Sequence, residues 1–122
     1  MEPLELPPAA DDVRKEMIAL IPDVRIYDED EKGNKKYGGD EIAGLVSRMK
    51  AALNLDETWE GRLRYWSTST KLVNTGKKGY LIAISDEMQV YPGGLLKGGS
   101  YIQVKNEPVL GAGATTLFFV PR

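Results

Sequence analysis

The stretch Tyr27–Glu41, YDEDEKGNKKYGGDE, holds the residue types nearest to a chemical site. A helix-loop-helix calcium loop needs oxygen ligands at loop positions 1, 3 and 5, a glycine at 6 and a carboxylate at 12. Counted from Asp28, the first and third positions are Asp28 and Asp30, and Gly33 fills the sixth. The fifth is Lys32, whose charge repels a cation, and the twelfth is Gly39, which has no side-chain ligand. The pattern fails as a metal site. It reads as a hairpin tip or mobile loop, with Asp28 and Asp30 kept as partner-contact candidates because loops on rigid scaffolds carry function.

Other chemistry is limited by what the chain lacks. It has no cysteine and no histidine, so thiolate nucleophiles, imidazole general bases and His- or Cys-ligated metals are excluded. The acids Asp86-Glu87 and Asp56, Glu57 and Glu60 read as solvated turn residues, since carboxylate hydrolysis needs two acids facing across a cleft. Gly111-Ala112-Gly113 lacks the third glycine of a dinucleotide loop, Thr116 standing in its place. No catalytic residue, cofactor or metal is expected, and the chain is read as a non-enzyme.

Basic side chains interleaved with aromatics form the other candidate constellation. Arg62, Arg64, Trp66, Lys71, Lys77 and Lys78 all follow residue 61. Phosphate pairing by such cations and base stacking on such rings is how single-stranded nucleic acid is held. Net charge is −2, but residues 1–61 carry 15 acidic and 8 basic side chains against 3 and 8 in residues 62–122. The bland account is mutual neutralisation of two packed halves; the sharper one is a basic half facing nucleic acid or an acidic neighbour.

Elements that would position these residues follow from periodicity and breakers. Residues 1–9, with three prolines, read as an extended arm whose Leu4 and Leu6 could lie on a neighbouring surface. A helix is predicted over Asp11–Ile21 and a second over Glu41–Leu53 with Asp40 as N-cap, each with an apolar stripe at helical spacing. Val24–Tyr27 is predicted as a short strand. From Arg62 onward the pattern changes to strands: Arg62–Ser69 and Ser100–Lys105 alternate, Tyr80–Ser85 is apolar on both faces as a central strand is, and Met88–Tyr91 and Thr115–Val120 follow as further strands, with Asn74–Gly79 and Pro92-Gly93-Gly94 as turns.

The predicted fold is α+β: two N-terminal helices packed on a C-terminal antiparallel sheet of five or six short strands, closed as a small barrel or stacked as a sandwich. One domain over residues 10–122 follows the arm. The expected function is a non-enzymatic structural or adaptor subunit of a larger assembly such as a phage or viral particle, homo- or hetero-oligomeric. Leu4, Leu6, Leu95, Leu96, Asp28 and Asp30 are its candidate partner contacts, and the charge split suits head-to-tail contacts. A nucleic-acid-binding domain is the second expectation. An inhibitor whose acidic Asp28–Glu31 segment imitates phosphates is the third. No apolar run is long enough to span a bilayer, and the acidic, proline-rich opening Met1–Glu5 does not resemble a secretory signal, so a cytoplasmic or particle-associated chain is expected.

Overall fold

The computed structural model describes residues 2–23, 26–85 and 87–122. In chain order the elements are β1 (Leu4–Glu5), α1 (Pro8–Leu20), β2 (Ile26–Glu29), β3 (Lys35–Tyr37), α2 (Asp40–Ala52), β4 (Trp59–Trp66), β5 (Thr70–Lys71), β6 (Gly79–Ala83), β7 (Glu87–Tyr91), β8 (Gly94–Lys97), β9 (Ser100–Val104), β10 (Val109–Leu110) and β11 (Ala114–Pro121). The predicted order of helices first and sheet second is overturned. Strands precede and separate the helices, and the chain is strand-rich, with two antiparallel sheets instead of one. No helix is long and apolar enough to cross a membrane among the described residues.

The large sheet has the order β1-β9-β6-β11-β4-β3-β2 and the small one β5-β10-β7-β8. Each sheet ends in edge strands, so neither closes as a barrel. First-half strands occupy both edges of the large sheet while second-half strands fill its centre. The charge split along the sequence is therefore not a division into two poles.

Three layers follow from side-chain alternation. Central β11 is apolar on both faces, as a doubly covered strand must be. Its Leu117 and Phe119 join Ala10, Val13 and Met17 of α1 and Ile42, Leu45 and Met49 of α2 in one core cluster. Its Ala114 and Phe118 join Met88, Val90, Leu96 and Leu110 of the small sheet in the other. The large sheet lies between the helices and the small sheet. Burying each Leu, Ile, Met or Phe contributes about 1.5–3 kcal/mol, so both interfaces help to hold the central strands in place.

Helix α1 begins three residues before its expected start. Pro8 sits at the first helical positions, where its missing N–H would have no intrahelical partner anyway and its φ already suits the helix. Residues 1–9 were expected as an arm. Leu4 and Glu5 pair with Tyr101 and Ser100 of this same chain, and the Leu6 N–H donates to the Gly99 carbonyl at 2.8 Å. Helix α2 matches its expected span within one residue, with Gly39 instead of Asp40 at the N-cap. Of the predicted strand Val24–Tyr27, positions 24 and 25 lie outside the described residues, as does Asp86.

Candidate functional site

The opening stretch forms the β2–β3 hairpin. Asp28 and Glu29 pair with Lys36 and Lys35, and Gly33 takes the left-handed φ of 83° that the tip requires. Asp30 is turned inward on the loop. Its Oδ1 accepts the backbone N–H groups of Lys32 at 2.9 Å and Asn34 at 3.0 Å, and its Oδ2 accepts the Asn34 side-chain amide at 2.9 Å. Burial pushes the Asp30 carboxyl up, but these donors outweigh it and leave it below the ordinary value. Asn34 in turn accepts the Ser67 N–H at 2.8 Å, fixing the tip to the end of β4. Three donors engage the exposed Asp30 carboxylate in shaping the turn.

Two of the leucine candidates are corrected by strand alternation. Gly94–Lys97 is a strand, not a loop, so Leu95 points outward with 56% exposure while Leu96 is fully buried. Likewise Leu4 is 54% exposed, whereas Leu6 is buried in the core beneath the helices. Leu6 and Leu96 stabilise this chain's own fold and offer no surface to a partner.

Leu95 belongs to a larger exposed area on the outer face of the small sheet. There Lys71, Val109 and Tyr91 lie directly opposite one another across β5, β10 and β7. Gln89 faces Leu95, and Glu87 faces Lys97, across β7 and β8. Tyr91 is 56% and Val109 37% exposed. Their strand partners Val90, Met88, Leu96 and Leu110 face the core. Tyr91 and Val109 were missed at the sequence level. The two-residue strand Val109–Leu110 is too short to show a period, and Pro92 marked Tyr91 as a strand end.

The basic and aromatic candidates do not form one surface. Arg64 lies over the buried Trp66 ring at 5.9 Å and lines a small cavity of about 70 Å³ with Asp28, Asp30 and Lys36. Burial lowers its pKa, and the neighbouring positive charge of Arg62 adds to the effect. Lys71 is on the small sheet, 3.6 Å from Glu107. Lys77 sits in the 74–79 turn with φ of 52°. Arg62 and Lys78 meet across a groove of about 440 Å³, joined by a residue not singled out from sequence, Arg122.

A further cavity of about 530 Å³ lies along the seam of α1 and α2, lined by Ala19, Leu20, Gly44 and Leu45. Arg48 spans it to reach Glu16 at 2.6 Å, and this hydrogen bond holds the Glu16 carboxyl below its ordinary range.

No family model matches this chain, and no match is found among curated proteins or solved structures.

Proposed function

We propose that the protein is a non-enzymatic structural or adaptor subunit that self-associates through the outer face of its small sheet. The observation that carries this reading is the exposed row Val109–Tyr91 with Leu95 beside it, on a sheet whose other face is already packed. Apolar side chains grouped on one flat surface lose contact with water when that surface is covered.

A second copy of the chain is the occupant favoured by the charge arrangement. A two-fold contact sets a patch against itself, so charge at the centre would meet like charge. Here the centre is uncharged, and Lys71, Glu87 and Lys97 stand at its margins. Two such sheets would stack face to face about 10 Å apart, as sheets do in sandwiches.

Sedimentation equilibrium tests the reading. The wild-type chain is expected to give twice the single-chain mass at high concentration. The double variant Tyr91→Glu, Leu95→Glu is expected to give the single-chain mass, with a thermal midpoint that no longer depends on protein concentration and matches that of the dilute wild type. A monomeric wild type, or a variant that still dimerises, overturns the proposal.

A further inference from the structure

The groove bounded by Arg62, Lys78 and Arg122 carries an inference separate from self-association. It is floored and walled by the 74–79 turn, the start of β4 and the end of β11, with Val73, Val120 and Pro121 as its apolar lining. Its volume of about 440 Å³ falls within the range of about 300–1,000 Å³ typical of small-ligand sites. Among the described residues every charged side chain lining it is a cation.

Among the described residues those cations are only partly neutralised from within the chain. Among the described residues neither Lys78 nor Arg122 enters an ion pair. Arg62 has only a long contact to Glu60 at 3.5 Å, which is also the one ion pair linking the acidic and basic halves among the described residues.

The groove is also held in shape. Asn74 is fully buried at its base, donating to the carbonyls of Val104 at 3.3 Å and Asn106 at 3.0 Å, and it accepts the Lys78 backbone N–H at 3.2 Å. The Lys78 ammonium lies 5.5 Å from the Trp59 ring centroid, and the Arg122 backbone N–H donates to the Thr58 carbonyl at 2.7 Å. The backbone that carries Lys78 and Arg122 is thus fixed before an anion arrives, which limits the ordering cost of binding.

We propose that this groove binds the phosphate groups of single-stranded nucleic acid, with Arg62, Lys78 and Arg122 as counter-charges and the exposed Val73 and Pro121 as an apolar shoulder. Phosphate oxyanions are the shared chemistry of a nucleic-acid strand and a free polyphosphate. A strand is favoured because the cations sit beside apolar surface that a sugar or base can cover.

Fluorescence anisotropy with a labelled short oligothymidylate tests this on the intact chain. Three phosphate contacts on a single strand give a log–log salt slope of about −2, so affinity is expected to fall about 20-fold between about 50 and about 200 mM salt. The triple variant Arg62→Gln, Lys78→Gln, Arg122→Gln is expected to abolish binding with an unchanged thermal midpoint, and Lys78→Gln alone to weaken it several-fold. Lys15→Gln, on α1, is expected to leave it unchanged. No binding at low salt, or binding insensitive to the triple variant, overturns the proposal. Displacement by tripolyphosphate at concentrations equal to those of unlabelled oligonucleotide overturns the nucleic-acid source. Displacement by the oligonucleotide alone supports it.

Discussion

The indole N–H of Trp66 donates to the hydroxyl of Thr116 at 3.0 Å in the buried space between the two sheets. Trp66 ends β4 and Thr116 lies on the neighbouring β11, two residues from the position that directly faces Trp66. A buried indole N–H without an acceptor loses its full hydration. Thr116→Val keeps the shape and removes the acceptor, so a destabilisation of about 1–3 kcal/mol is expected. Trp66→Phe removes the donor. In a cycle of single and double variants the double variant should cost less than the sum of the singles by about 0.5–3 kcal/mol, the range for directly interacting residues. Urea denaturation midpoints check it, and strict additivity would contradict the pairing.

Glycines in this fold divide by what surrounds them. A Cβ at Gly79 would lie 2.5 Å from Phe118 Cε1 and 2.9 Å from the Phe119 carbonyl oxygen, and one at Gly61 would lie 2.6 Å from Phe119 Cε1. Overpacking of this kind costs about 1–3 kcal/mol. Gly79→Ala should cost more than Gly61→Ala, because a backbone oxygen in a central strand cannot rotate away. Gly44 stands on an exposed turn of α2 with nothing within 4 Å of a Cβ. Gly44→Ala should stabilise the protein by up to about 1 kcal/mol through helix propensity alone. Thermal midpoints of the three variants provide the ranking.

Much of this architecture was visible in periodicity, and its failures have identifiable causes. The stripes Ile42, Leu45, Met49 and Val13, Met17 located both helices, and the doubly apolar run Tyr80–Ser85 marked a central strand. Strands of two to four residues, such as β1, β5, β8 and β10, are too short for a period to register. They are strands only because a neighbour completes their hydrogen bonds. Pro7 and Pro8 read as helix-avoiding, yet a helix start tolerates proline. The segregation of helices from strands was inferred from sequence order. It failed because β1, β2 and β3 are added at the sheet edges, where pairing brings together residues far apart in the chain. At the candidate groove, Arg62 and Lys78 were identified from charge, but Arg122 depended on the β4–β11 register, which no local pattern encodes.

Asn74 should behave as a keystone for the 74–79 turn. Its side chain satisfies two backbone carbonyls and one N–H while nearly inaccessible to water. Asn74→Ala strands these groups and should destabilise the protein by about 1–3 kcal/mol for each one left buried and unpaired. The effect should also be local, with amide exchange at Lys78 accelerating more than at Leu81 in the adjoining β6. Equal protection at both sites in the variant would show that the turn is held by other contacts.

Acid should loosen the protein through carboxylates that the fold holds in their charged form. The Asn74 backbone N–H donates to Glu107 at 2.8 Å, and this bond, opposed by burial and aided by Lys71, places the Glu107 carboxyl below its ordinary value of 4.5. Asp11 is lowered chiefly by its hydrogen bond from Arg14 at 2.7 Å, and Arg14 also reaches the Ile84 carbonyl, tying α1 to the sheet. A carboxyl whose folded pKa is depressed binds fewer protons folded than unfolded. Its stabilisation is therefore complete above the unfolded pKa and is lost as pH falls through the folded one. Urea midpoints should hold steady near neutrality and decline below the ordinary carboxylate range. Glu107→Gln and Asp11→Asn should each start from a lower midpoint at neutral pH and show a shallower decline in acid. A decline as steep in both variants as in the parent chain would assign the acid sensitivity to other groups.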